Sequence, residues 1–497
     1  MNNLKKIVSI EALKSLINKK KTALAHGVFD VFHIGHLKHL QIAKQKSDIL
    51  IVSITSDKYV RKGPSRPYFS ENLRAEFLSS LDIVDFVIIN DEVTPINIIN
   101  NIKPNFYVKG KDYQEHKKDI TGNILKEKKA VENNGGKLLI TDEIEFSSSK
   151  IINKFLQPSA ARDYFKDFDK LREDCIKAVE SLRDLNVLVL GEMIFDEYNF
   201  VEEMDKPGKE NIQSVLFKKK EIYLGGSYSI AKNISSFVKR VELVSIGNFS
   251  QSQASLLKKE SSKIKNFKLN IIKDDFHSIV KKRYINQSNK KLFEEYVMTG
   301  LKNFKKENYL SKKIYNYDLV ILADFGHGLI SDNIINHLSK KTKFLSINVQ
   351  TNSENRGYNF VTKYKKADYV CIDRQELRLA MSDRYSSIYF LIKKLFNKIK
   401  VKTITITLGK EGIQLAKKKG NKINAFSLPG FETNPIDTLG AGDAVFGISS
   451  LLVKKKTDFK LVAIISNLVG AMKTRIIGHS ASISKADLIK SLTYILK

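Results

Sequence analysis

Short apolar runs that stop at a glycine and pass into an amphipathic stretch recur along this chain, and they restrict its fold more than any other feature. "KTALAHGVFD" has the composition of a strand running into a glycine turn, and "GHLKHLQIAKQ" continues it at helical spacing. "SDILIVSITSD", "VDFVIIN", "NFYVKGKDY" and "GKLLITD" repeat the strand pattern, with "SENLRAEFLSSL" and "GNILKEKKAVENNG" helical between them. Apolar strands that alternate with amphipathic helices indicate βα units and a parallel sheet. Ligands of such sheets bind beyond the carboxyl ends of the strands, where these glycine turns lie.

A chain of 497 residues is too long for one core, which predicts two or three domains. The first α/β region is expected over 1–157. A polar helical connector follows over 158–184, in which Phe165, Phe168, Leu171, Cys175, Val179 and Leu182 recur at helical spacing. "NVLVLGEMIFDEYNF" opens a second α/β domain over 185–497, with further buried-strand candidates at "DLVILADFGHG", "KFLSINVQ", "ADYVCID" and "TITITLGKEG". No fixed-period repeat links the two halves.

The formal charge of +30 raises the question of nucleic acid. The lysines are spread through every predicted domain, however, and no aromatic-interleaved basic patch or zinc finger stands out. Compositional bias explains the charge best, attraction to anionic small molecules comes next, and no nucleic-acid partner is expected. The two cysteines, Cys175 and Cys371, lie far apart, which fits a reducing compartment and leaves no disulfide framework or cysteine zinc site. No apolar run reaches the roughly 18 residues of a membrane span. The opening segment also lacks the features of a secretion signal. The expectation is a cytoplasmic chain with no membrane partner.

"GVFDVFHIGH" sets His33 and His36 three residues apart, around a glycine, at a strand-to-helix junction. That spacing puts both rings on one face of the helix start. Unpaired amides and the helix dipole there favour phosphate, and the histidines are placed to donate to its oxygens. A metal site would need further ligands at a supportive spacing, and none is present; a purely structural turn is the remaining reading. His39, one turn on, reads as a surface residue.

At these residues the chain resembles the cytidylyltransferase-like nucleotidyltransferases, whose signature is HxGH. "ITSDKYVRKGPSRP", "ENLRAEFLSSLDIVDFV", "YVKGKDY" and "FSSSKII" extend the resemblance to about residue 155. It implies that His33 and His36 contact the triphosphate and are catalytic. It further implies that Lys62, Arg74, Ser147, Ser148 and Ser149 hold phosphates, and that Phe29, Asp30, Lys109 and Asp112 surround nucleotide and substrate.

"NPIDTLGAGDAVFG" carries a second constellation. A Gly-Ala-Gly turn at a helix start offers amides to a transferring phosphoryl group, and the adjacent carboxylate can take a proton from an alcohol. With "GEMIFD", "YLGGSYSIAKNIS", "KKRYIN", "KLFEEY", "ADFGHGL" and "TLGKEG", it resembles the ribokinase-like (PfkB) carbohydrate kinases. The resemblance implies Asp443 as catalytic base and Gly440, Ala441 and Gly442 as anion hole. It also implies Asp196, Gly225 and Gly226 at the sugar, Lys281 and Arg283 near a substrate phosphate, and Glu376, Thr407 and Gly409 at ATP. Departures from the family pattern bear on which sugar is bound. Glu192 stands at the first acidic position of GDxxxD, and the usual GGxxxN becomes Gly225-Gly226-Ser227-Tyr228-Ser229 and loses its asparagine. "INVQTNSENRG" replaces a DPK-like strand end, and "CIDRQE" replaces a TPNxxE-like segment while keeping Glu376.

The fold class expected is therefore α/β: a Rossmann-like nucleotidyltransferase domain followed by a ribokinase-like domain. The combination resembles the bifunctional heptose 7-phosphate kinase and heptose 1-phosphate adenylyltransferase of ADP-heptose synthesis for lipopolysaccharide, with the domain order reversed. It implies sugar phosphates and nucleotides as small-molecule partners, Mg2+ accompanying ATP or CTP, and no metal set supplied by the protein alone. The choice between ATP and CTP stays open, as does a homo-oligomer through the kinase domain. A kinase-like half that only senses sugar, or acts on an unrelated substrate, is the alternative.

Overall fold

The computed structural model describes residues 3–17, 20–64, 66–110, 123–141, 167–205, 211–288, 290–298, 314–355, 357–432 and 435–496. Two compact units emerge, one of Met1–Arg172 with Ile489–Lys497, the other of Glu173–Leu488. The division falls inside the helix Phe168–Glu180, whose Cys175 and Val179 are fully buried as their spacing predicts.

In the first unit, five parallel strands, β1 (Thr22–Gly27), β2 (Ile49–Thr55), β3 (Phe86–Asn90), β4 (Phe106–Gly110) and β5 (Lys137–Thr141), lie in the order β3-β2-β1-β4-β5. β2 is buried along its whole length, which explains its apolar run over 49–52, and the small polar Ser53 and Thr55 are buried with it. Alternate residues of β1 feed two cores. Ala23 and Ala25 pack with α2 (Ile34–Gln45) and α3 (Glu71–Ser79) on one face. Leu24 packs on the other with residues of the helices Ile10–Leu16, Ile96–Ile102 and Asn123–Asn133. Each fully buried leucine or isoleucine in these layers contributes about 1.5–3 kcal/mol. Strand order reverses at β1, so the crevice between the ends of β1 and β4 is the switch point where such sheets take ligands. The loop after β1 is "GVFDVFHIGH".

The second unit has a nine-stranded sheet in the order β10-β9-β6-β13-β14-β15-β16-β17-β18. Its members are β6 (Asn186–Gly191), β9 (Arg240–Asn248), β10 (Phe267–His277), β13 (Leu319–Asp324), β14 (Leu345–Val349), β15 (Tyr369–Asp373), β16 (Thr403–Thr407), β17 (Ile413–Lys419) and β18 (Lys422–Leu428). All pairings are parallel up to β16, and the last two are antiparallel. A separate four-stranded sheet, β12-β11-β7-β8, is built from β7 (Met193–Glu203), β8 (Val215–Gly226), β11 (Ile279–Ile285) and β12 (Lys291–Val297).

Register in the small sheet assembles part of the site. Parallel pairing sets Lys281 opposite Asp196, and antiparallel pairing sets Gly225 opposite Ile194. β8 runs directly into α6 (Ser227–Ser235). This helix meets α8 (Ala441–Lys454) at Gly447, where a Cβ would lie 2.8 Å from Ile234. The missing side chain lets the helix after the double glycine lie against the helix after Gly-Ala-Gly.

Candidate functional sites

In the first unit, His33 caps α2 with its own ring: Nδ1 accepts from the amides of Gly35, at 3.2 Å, and His36, at 3.4 Å. This corrects the expectation of open amides at that helix start, because an imidazole occupies two of them. An accepting Nδ1 leaves the hydrogen of the neutral ring on Nε2. The His33 and His36 rings stack with centroids 3.9 Å apart, and Phe29 meets His36 edge-on at 5.3 Å. Burial drives His36 down to about 2, helped by His33, Lys62 and His39, and burial followed by Lys62 lowers His33. Both rings are therefore neutral donors at pH 7. His36 Nδ1 is buried without a hydrogen-bond partner among the described residues. Lys62 extends its charge toward both rings, and its Nζ sits 5.5 Å from the centroid of Tyr494, one of the C-terminal residues that cluster with this unit.

The turn itself is conformationally costly, since Phe29 (φ 51°) and Val31 (φ 44°) adopt left-handed backbone. Two residues hold it. Asp30, buried, accepts from the amides of Tyr68 at 2.8 Å and Phe69 at 3.1 Å. Arg74, also buried, donates to the carbonyls of Phe69 (3.0 Å), Val28 (2.6 Å) and Thr55 (2.9 Å) and to Asp57 (2.6 Å). Expected at phosphates, Arg74 is here engaged in tying three loops together.

Lys109 lies at the end of β4, 3.4 Å from Glu127 and 3.4 Å from the His26 carbonyl. His39 is a second correction: it is buried, not a surface residue, with Nδ1 2.7 Å from Thr141 Oγ1. Asp112, Ser147, Ser148 and Ser149 lie outside the described residues.

In the second unit, α8 begins at Ala441 with Gly440 as its left-handed cap (φ 71°) and no side chain capping it. Asp443 is buried in the first turn, and its Oδ1 accepts from Gln350 Nε2 at 2.8 Å. Burial raises Asp443 to about 6, with His479 opposing and Asp196 adding to the rise. A cavity of about 1050 Å³ opens beside this turn, lined by Thr407, Gly409, Thr438, Ala441, Gly442 and Asn467 among others. It brings the expected ATP residues Thr407 and Gly409 next to Ala441 and Gly442 of the expected anion hole.

The residues expected at the sugar assemble from β7, β8 and β11. Asp196 is buried against the Arg283 guanidinium and lies 3.3 Å from His479 Nε2. Burial pushes its carboxyl up, but the His479 hydrogen bond and the Arg283 charge outweigh that and hold it below the usual value. Arg283 also donates to Glu294 at 2.9 Å. Lys281 is buried with Nζ 5.0 Å from the Tyr296 ring centroid, and among the described residues its ammonium has no hydrogen-bond acceptor. Burial lowers it. A Cβ on Gly225 would lie 2.0 Å from Asp196 Oδ2, and one on Gly226 2.6 Å from the Glu192 carbonyl, so both glycines are dictated by space.

Glu192, flagged in sequence only as a departure, accepts from the amides of Phe325 (3.1 Å), His327 (3.2 Å) and Leu329 (3.3 Å), fixing the "DFGHGL" loop. Glu376 takes the amides of Asp373 at 2.7 Å and Thr351 at 3.1 Å. Burial, then Asp373, raises it to about 8, and Asp443 adds to the rise. Gln350 and His479 were not identified in the sequence. The position of Gln350 directly after the strand "SINV" was the available signal, and His479 offered none.

The comparisons with known proteins match this geometry. Residues 24–154 fit the cytidylyltransferase-like model, and residues 184–480 fit the pfkB family carbohydrate kinase model. These define a cytidylyltransferase-like domain followed by a carbohydrate-kinase domain. The chain belongs to the pfkB family of carbohydrate kinases.

Among curated relatives, the "Bifunctional protein HldE" of Campylobacter jejuni subsp. jejuni serotype O:6 is 44% identical over 154 residues, which is 30% of this chain and 31% of the relative. That of Geotalea uraniireducens is 39% identical over 157 residues, with the same shares. The chain thus spans about a third of the length of these relatives, within the N-terminal domain. Among solved structures, Escherichia coli phosphofructokinase-2 with potassium superposes at a TM-score of 0.52 and 12% identity, covering 63% of this chain and 100% of that one. Thermotoga maritima ribokinase gives 0.50 and 14%, covering 62% and 99%. At these identities the structures establish the ribokinase-like fold. No helix among the described residues is long and apolar enough to cross a membrane.

Proposed function

We propose that this enzyme activates a sugar in two steps, phosphorylating a heptose 7-phosphate-like sugar phosphate and then coupling the resulting sugar 1-phosphate to a nucleotide. In the first step Asp443 takes the proton of the anomeric hydroxyl. The oxygen attacks the γ-phosphorus of ATP, the bond to the β-phosphate oxygen breaks, and the amides at the start of α8 receive the transferring group. In the second, the sugar 1-phosphate oxygen attacks the α-phosphorus of ATP or CTP and pyrophosphate leaves. His33 and His36, as neutral donors, stabilise charge on the phosphate oxygens.

The observation that carries this reading is Lys281. The residue is 7% exposed and its ammonium makes no hydrogen bond among the described residues, which leaves its donors available to an anion on the sugar beside Asp196 and Asp443. The relatives named bifunctional protein HldE support joining the steps.

Mg2+ fits the kinase site. Asp443 adds to the rise of Glu376, and Asp196 to that of Asp443, so these buried carboxylates set up a negative field that a cation would relieve. Among the described residues no cluster of three acidic, histidine or cysteine side chains could hold a metal, so the ion would enter on the nucleotide with Glu376 and Asp443 beside it. Bound there, it neutralises charge on the phosphoryl oxygens. The proposal places the enzyme in the cytoplasm with its soluble substrates. Self-association through the four-stranded sheet belongs to the same proposal, since Leu216, Phe217 and Phe293 are exposed on it.

The test is a screen of heptose 7-phosphate, unphosphorylated sugars and sugar 1-phosphates with ATP and CTP, following ADP and pyrophosphate separately. Phosphorylation of heptose 7-phosphate, and pyrophosphate release only with sugar 1-phosphates, is the expected result. Phosphorylation restricted to unphosphorylated sugars would refute it.

A further inference from the structure

His479 lies in the kinase site although neither motif contains it. It follows Gly478 in the loop after α9 (Phe459–Lys473), and this loop is pinned on both sides. The Gly478 amide donates to Asp437 at 2.8 Å, while the buried Lys473 ammonium donates to the carbonyls of Gly478 at 2.6 Å and Ala481 at 3.3 Å. The imidazole is thereby held between the sugar carboxylate and the anion hole. Its Nε2 is 3.3 Å from Asp196 Oδ2, and a Cβ on Gly440 would lie 2.5 Å from its Cε1. A Cβ on Gly225 would reach its Nε2 at 3.1 Å, so a glycine from each motif makes room for the ring.

The hydrogen bonds around it run in one direction. An ionised carboxylate only accepts, so Nε2 carries the hydrogen and gives it to Asp196. Nδ1 is then bare and accepts from the Ser229 hydroxyl at 2.9 Å. Ser229 Oγ in turn accepts from Asn233 Nδ2 at 3.4 Å, and Asn233 Oδ1 accepts from the Ile483 amide at 3.3 Å. Asn233, Ser229, His479 and Asp196 are all buried, so each link is shielded from water. At the far end, Arg283 takes Asp196 Oδ1 while His479 takes Oδ2. The two donors hold opposite oxygens. Without His479, the guanidinium would be free to draw both oxygens into a forked pair, and the lone pairs that receive a sugar hydroxyl would turn away.

We propose that His479 is a positioning residue of the kinase site: through the chain from Ser229 it sets the angle at which the Asp196 carboxylate receives the acceptor alcohol beside the Gly440–Gly442 turn. This rests on the reading of Asp196 as the sugar-binding carboxylate of an active kinase.

The experiment uses the full chain with heptose 7-phosphate, fructose 6-phosphate and ribose as acceptor probes, and compares wild type with His479→Ala and His479→Gln. His479→Ala is expected to raise KM for the accepted sugar about tenfold, the loss of one charge-assisted hydrogen bond, while KM for ATP moves less than about twofold. His479→Gln keeps an N–H where Nε2 stands and should recover most of that loss. In the Asp196→Asn background, His479→Ala should add little, because the two act as a unit. Far-UV circular dichroism confirms that each variant is folded. An acceptor KM within about twofold of wild type in folded His479→Ala would overturn the proposal, as would a His479→Gln variant no better than alanine.

If only fructose 6-phosphate or ribose is phosphorylated, the heptose reading falls and His479 is judged on that sugar. If no sugar is phosphorylated, imidazole 15N spectra of the labelled full chain decide. An Nε2–H tautomer whose Nδ1 signal shifts in Ser229→Ala upholds the chain, and an Nδ1–H tautomer refutes it.

Discussion

Gln350 Nε2 donates to Asp443 Oδ1 at 2.8 Å, so the residue just after β14 orients the carboxylate proposed as the kinase base. The bond favours the ionised carboxylate and works against burial, the main cause of the rise to about 6. The base acts as the ion, and phosphorylation should therefore fall as pH drops through about 6. Gln350→Ala removes a donor to the charged form, moving that acidic limb to higher pH. Its deficit should be larger at pH 6 than at pH 8 in a pH profile of kcat/KM. An acidic limb in the variant at or below that of wild type would contradict this assignment.

The two chemistries should separate by mutation. Asp443→Asn is expected to lower phosphorylation by about 10²–10⁴-fold, the usual worth of a positioned base, with pyrophosphate release from added sugar 1-phosphate intact. His36→Ala should lower pyrophosphate release by about 10²–10³-fold, as when one charge-stabilising donor is lost, and leave ADP release alone. Separate ADP and pyrophosphate assays on each folded variant check both. Loss of both activities from either change would break the two-site account.

Lys281 gives a test of substrate charge. Lys281→Met keeps the length of the stem and removes the ammonium near Asp196 and Asp443. KM for a phosphorylated acceptor should rise about 10-fold or more, in line with a lost charge-assisted bond to an anion, while an unphosphorylated analogue should be turned over no worse than by wild type. Equal effects on the two acceptors would detach Lys281 from the phosphate.

What was legible in the sequence, and what was not, follows from which side chains face the core. The strands of the first unit could be read because both faces of its sheet are covered, and "SDILIVSITSD" accordingly carries four consecutive apolar residues over 49–52. β8 could not: "VLFKKKEIYL" is exposed or half-buried over most of its length, and its charges conceal a strand that leads into Gly225 and Gly226. Asp443, Asp196 and the histidine pair were legible as candidates because they stand in motifs of fixed spacing. Gln350 and His479 were not, since each acts on a carboxylate far away in sequence. His39 read as a surface residue for the same reason, its partner Thr141 being 102 residues distant.

Arg74 supplies the sharpest contrast between a motif role and a structural one. Its guanidinium reaches three backbone carbonyls and Asp57 from a buried position, and two of those carbonyls border the left-handed turn at Phe29 and Val31 or the loop it contacts. Arg74→Met would leave those acceptors without their donor. A loss of about 3 kcal/mol is expected, the sum of desolvated groups partly relieved by water. Arg74→Lys keeps the charge but cannot reach three directions at once, so it should recover little of that stability. Denaturant unfolding of the full chain, set beside KM for the nucleotide, checks this. If both variants unfolded like wild type while nucleotide KM rose, Arg74 would be a phosphate ligand and not the tie between loops.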